Sequence, residues 1–108
     1  MSISKTLVAA ALCVFAGAAA AQTFPTKPIT IVVPNPPGGV VDTSARLIAD
    51  SLAKVIGQSV IVDNRGGASG NIAMAQVAKA PKDGYTLLAS YSAYHVGNPA
   101  MFAKPGWE

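Results

Sequence analysis

Within about fifty residues the same order of pieces occurs twice: an apolar β-branched run, a glycine-rich loop, and a stretch with apolar residues at helical spacing. Ile29 to Val33 is the first run, continuous rather than alternating, the pattern of a strand buried on both faces. Pro34, Pro36 and Pro37 end it, because proline donates nothing to a ladder. Val60-Ile61-Val62 opens the second unit, Gly66 to Asn71 forms its loop, and Ile72 to Ala80 its helix. Thr86 to Ala89 is a third short apolar run that closes the series. Strands alternating with helices argue a parallel sheet, so the fold class is α/β, with the order βαβαβ. Right-handed crossovers bring both glycine-rich loops out at one carboxyl edge, where open α/β sheets bind ligands.

The chemistry of that edge follows from the backbone. Pro37, Gly38 and Gly39 make a loop that a ligand can approach closely, and the next helix points its free N–H groups and positive dipole end at it. Such a cradle receives negative charge. In that helix Val41, Ala45, Ile48, Ala49, Leu52, Val55 and Ile56 form one apolar stripe, and Gly57 ends it. Asp42, Arg46, Asp50 and Lys54 stand four apart in a row of alternating sign, so Arg46 is expected to pair with Asp42 and Asp50. Two roles stay open for Asp42: a first-turn carboxylate capping orphan N–H groups, or a ligand contact or loop-orienting group.

The second loop carries Ala68, Ser69, Gly70 and Asn71 but no lysine after its glycines, so it is not a G-x-x-x-x-G-K-[ST] phosphate loop. Neither loop has the G-x-G-x-x-G spacing, and no nucleotide or other cofactor is expected. Main-chain donors with Ser69 and Asn71 suit a carboxylate; the alternative is a tight turn with Ser69 as a plain N-cap. Asp83-Gly84 after Pro81 signals a turn only. His95 is the sole histidine, and no cluster of further ligands suggests a metal site. No G-x-S-x-G elbow is present, so no catalytic residues are expected. His95 follows the third strand with Ser90 and Ser92, at the ligand edge again, as either a ligand contact or a structural hydrogen-bonder.

The first residues read as a leader and not as part of the fold. Lys5, the apolar stretch from Leu7 to Ala16, and Ala19-Ala20-Ala21 before Gln22 have the order of a cleaved secretory signal, residues 1–21. The stretch is too short for a retained transmembrane anchor. Cys13 lies inside it behind Leu12, where a lipoprotein signal wants a small residue, so lipidation is not expected. Cleavage leaves 87 residues, no cysteine, and a net charge of +2 from scattered lysines and arginines. That charge is too mild and too dispersed to suggest nucleic acid as a partner. Three parallel strands leave two open edges, so the chain reads as the front of something longer.

Four motifs then add a family. Pro36-Pro37-Gly38-Gly39-Val40-Val41-Asp42-Thr43-Ser44-Ala45-Arg46 resembles the P-P-G-G-x-x-D-x-x-A-R segment of tripartite tricarboxylate transporter substrate-binding proteins, the Bug-type receptors. Val62 to Ile72 resembles that family's V-x-N-R-x-G-A-x-G-N-I, Pro81 to Leu88 its P-D-G-Y-T-L-L, and His95 to Pro99 its H-x-x-N-P. Asn35 stands where the family usually has an aromatic residue. The resemblance implies a periplasmic receptor with two α/β lobes closing on a small carboxylate, which it hands to membrane permease subunits. It implies that the loops at Pro37-Gly38-Gly39 and Ala68-Ser69-Gly70-Asn71 hold the carboxylate, with Ser90, Ser92 and His95 lining the cleft. On that reading residues 22–108 are an incomplete first lobe, and the ending Lys104 to Glu108 does not resemble the family's continuation. The competing expectations are a small secreted α/β enzyme or anion-binding domain, and an interaction fragment pairing through its sheet edge.

Overall fold

The structure, a computed structural model, describes residues 23–107; the leader with Cys13 and the expected cleavage at Ala21 lie outside the described residues. Strands β1 (Ile29–Val33), β2 (Val60–Asn64) and β3 (Thr86–Leu88) form one parallel sheet in the order β2-β1-β3. Ile29 pairs with Val60 and Val33 with Asn64, while Val32 pairs with Leu88. The strands therefore stop level with one another. Two further bonds close the ladder at that end, from Arg65 N–H to the Val33 carbonyl (2.8 Å) and from Ala89 N–H to the Val32 carbonyl (2.9 Å).

Helix α1 (Val40–Ile56) joins β1 to β2, and α2 (Asn71–Lys79), entered through a 3₁₀ turn at Ala68–Gly70, joins β2 to β3. Right-handed crossovers place these two helices on opposite faces of the sheet, which explains why β1 is apolar at every position but Thr30. Ile31 and Val33 pack against Ala45 and Ala49 of α1, with Val41, Val60, Val62 and Ala89 around them. Val32 and Val33 are fully enclosed, and burial of each such side chain stabilises the fold by about 2 kcal/mol.

The stripe on α1 is narrower than its sequence suggests. Ala45 and Ala49 are buried, but Ile48 and Val55, assigned to the stripe, are 59% and 84% exposed. Two alanines let the helix lie close to the strands, and the line through Val41, Ala45 and Ala49 meets the core of the sheet. Gly57 ends the helix in the left-handed conformation (φ 68°), as expected. Arg46 bonds to Asp42, while Asp50 takes part in no ion pair among the described residues.

One element has no counterpart in the sequence reading: helix α3, Ser92–Met101, which follows β3. It contains Gly97 and Pro99, both poor interior helix residues. Its inward positions include Tyr94 and Asn98, so its buried side is part polar and hides the usual periodicity.

Candidate functional site

Three helices begin at the carboxyl edge of the sheet, and none is capped by a side chain. The N-cap residues are Gly39 for α1, Gly70 for α2 and Tyr91 for α3, each without a side-chain capping bond. At most helix starts a Ser, Thr, Asp or Asn oxygen accepts one of the orphan N–H groups. Here the donors and the positive ends of three dipoles gather at one rim. Ser69 does not act as the N-cap its alternative reading assigned to it. Its backbone is left-handed (φ 54°), and Gly70 takes the capping position.

The two loops lie side by side. A Cβ on Gly66 would sit 3.5 Å from Pro36 Cδ, so the second loop runs directly under the first. Gly38 adopts φ 91°, a conformation that favours glycine. Gly70 has φ 84°, and a Cβ there would come within 2.7 Å of the Tyr94 ring. The glycine of the second loop thus makes room for α3. Gly39 differs: its nearest neighbour to an added Cβ is the Pro36 carbonyl at 3.7 Å, so the space above it is open.

A cleft of about 380 Å³ opens at this rim, lined by Asn35, Gly39, Val40, Val41 and Tyr91. Gly39 among them was assigned from sequence. Asn35, Val40, Val41 and Tyr91 were not, and their signal is positional: they flank the loop and the end of β3. Asn35 Oδ1 is enclosed and has no hydrogen-bond partner among the described residues. Ser90 and His95 meet, with Ser90 Oγ 3.0 Å from His95 Nε2. The His95 ring lies edge-on to Trp107 at 6.0 Å, and no carboxylate bonds to it among the described residues. Ser92 is the first residue of α3 and is exposed.

Asn71 has turned inward. It is 7% exposed, and its Oδ1 accepts hydrogen bonds from Asn98 Nδ2 (2.8 Å) and Trp107 Nε1 (2.9 Å). Asn98 also donates to the Ser69 carbonyl at 2.8 Å. The side-chain oxygen of Asn71 is therefore engaged in fastening α3 and the chain end to the second loop.

Asp42 is buried behind the first loop, 3% exposed. Its Oδ2 accepts the Gly38 N–H (2.9 Å) and the Arg46 Nε–H (3.1 Å), and its Oδ1 accepts from Asn64 Nδ2 (2.9 Å). Arg46, then the Gly38 amide and Asn64, hold this carboxyl down at about 2 against the desolvation that opposes them. Of its two open roles the loop-orienting one matches this geometry. Arg65 is likewise paired, with Asp63 at 2.9 Å. Both arginines at the rim are thus matched by carboxylates of the chain itself, and among the described residues the rim offers an anion main-chain donors and dipoles.

The family follows from comparison. Residues 44–108 match the model of the tripartite tricarboxylate transporter family receptor, so the ending Lys104 to Glu108, expected not to resemble the family's continuation, lies inside the match. This chain belongs to that receptor family. It spans only about a fifth to a quarter of the length of the curated relatives it matches, at 50%, 55% and 49% identity. Among solved structures it is similar to the periplasmic binding protein BugD, with TM-score 0.73 and 40% identity over 79% of this chain and 28% of that one. A Rhodopseudomonas palustris protein solved with adipate is 54% identical, with TM-score 0.59 over 60% of this chain and 22% of its own. MatC of the same organism, solved with bound malate, is 46% identical with TM-score 0.58, again over 60% and 22%. The three-stranded parallel sheet and its helices are thus a segment of the α/β fold of periplasmic binding proteins.

Proposed function

We propose that this chain is the opening part of an extracytoplasmic solute-binding receptor for a small carboxylate, one that feeds a tripartite tricarboxylate-type transporter. The single observation carrying this reading is the meeting of two helix N-termini without side-chain caps, those of α1 and α3, in the lining of one cleft, with the N-terminus of α2 at the same sheet edge. Backbone N–H groups there have no side-chain acceptor, and a carboxylate supplies one with the charge that the dipoles favour. The adipate and malate held by two relatives have this chemistry.

In this reading Pro37, Gly38 and Gly39 form one wall of the ligand site. Ala68, Ser69 and Gly70 form the second, and Ser90, Ser92 and His95 face it from the end of β3. Asp42 and Asn71 hold those walls in place. Residues 22–108 constitute the start of the first of two lobes, exported to the periplasm by a leader cleaved near Ala21. The partners are the ligand and the permease subunits of the transporter, and the protein binds and releases without chemical change to the ligand.

Titration calorimetry of the complete natural polypeptide carrying this segment, against a panel of small di- and tricarboxylates, tests the reading. Saturable binding of at least one member is expected. A folded protein that binds none of them would overturn it.

A further inference from the structure

The first loop contains its own difficulty. Between Asn35 and Gly38 stand Pro36 and Pro37, which have no N–H to donate, so the loop has few main-chain donors with which to tie itself down. It is gripped from outside at both ends instead. Asp42 accepts the Gly38 N–H at one end. At the other, the Asn35 carbonyl accepts from Asn64 Nδ2 at 3.1 Å, across 29 residues of sequence.

Asn64 is the last residue of β2, and both its Nδ2 donors and its Oδ1 are engaged. Nδ2 donates to the Asn35 carbonyl and to Asp42 Oδ1, and Oδ1 accepts from Arg46 Nη2 at 3.1 Å. No other side-chain type of this size offers two donors and an acceptor in that arrangement. The groups facing it are Asp42 and Arg46 from α1; Asp63 and Arg65 beside it on the chain pair with each other.

We propose that Asn64 is a positioning residue that latches the Asn35–Gly38 loop in its ligand-receiving shape, so that the end of β2 sets the affinity of a cleft whose wall it does not form. This rests on the carboxylate-binding reading above. Asn64 grips Asn35 directly, and through Asp42 it holds the carboxylate that fixes Gly38. The loop is then pre-organised before a ligand arrives, and the ordering cost is not taken from the binding free energy.

Two experiments on the complete natural polypeptide test the latch. The first uses the unmutated protein without ligand. Amide hydrogen exchange at Gly38 is expected to be at least a hundredfold slower than in an unstructured peptide; exchange at the peptide rate would overturn the proposal. The second compares Asn64→Asp with the parent at pH 7.5, by calorimetry with adipate and malate as probes and by amide exchange at Gly38. The substitution preserves shape but sets a carboxylate against Asp42, so binding is expected to weaken at least tenfold at pH 7.5. The Gly38 amide of the variant is also expected to exchange at least tenfold faster than the parent's, because a repelled Asp42 releases it. Unchanged affinity, or a Gly38 amide in the variant that exchanges at the parent's rate, would overturn the proposal. If the parent binds neither probe, the exchange measurement still decides the latch while the carboxylate reading alone is in question.

Discussion

Asp42 shows how one carboxylate serves fold and site together. Its pKa of about 2 in the folded chain lies below the ordinary value of roughly 3.9. Between those two values the unfolded chain binds more protons than the folded one, so stability falls as pH drops from about 4 to about 2. Above that window the contribution is fully present. Asp42→Asn should therefore flatten the dependence of Tm on pH over this range, and parallel slopes for parent and variant would show that the Gly38, Arg46 and Asn64 bonds do not form in solution. The two loop glycines make a contrasting pair. Gly70→Ala forces a left-handed alanine into the Tyr94 ring and should destabilise by about 2 kcal/mol, read by denaturant unfolding. Gly39→Val meets open space in the fold but fills the cleft. It should leave Tm near the parent's while weakening carboxylate binding by at least about 1.4 kcal/mol, a tenfold change. Lys79→Ala, at the far end of α2, should alter neither.

The elements divide by how much of their signal is local. β1, α1 and the level parallel strands were legible because an apolar β-branched run, a helical period and a C-terminal glycine are written in neighbouring residues. The convergence of the two glycine loops was legible too, since topology rules alone require it. Helix α3 was not, because Gly97, Pro99 and its inward Asn98 obscure the pattern, and only contact with the second loop organises it. The same reason hid the work of Asn64, whose partners lie 18 to 29 residues away. It also hid the inward turn of Asn71. The surplus apolar residues of α1 have a consequence at this scale. Leu47, Ile48 and Val55 are exposed together along one side of the helix, a contiguous apolar face of the kind that associates with other surfaces. Residues 22–108 purified alone should bind an apolar-surface dye and self-associate, and Leu47→Gln with Ile48→Lys should reduce both. Light scattering that shows a monomer without dye binding would contradict this.

At the scale of the whole molecule, the described residues contain no helix long and apolar enough to cross a membrane, and the expected route outward is the leader. Replacing Ala19 and Ala21 with bulky residues should leave uncleaved precursor in the membrane fraction; normal processing would move the cleavage site elsewhere. The chain end carries a different kind of information. Trp107 is the one tryptophan of this sequence, and its indole N–H is bonded to Asn71 at the base of the second loop. An indole held there is an optical probe that needs no label. Movement of the loop around a ligand changes the polarity and hydrogen bonding of that ring, so the colour and intensity of its emission should follow occupancy of the cleft in real time.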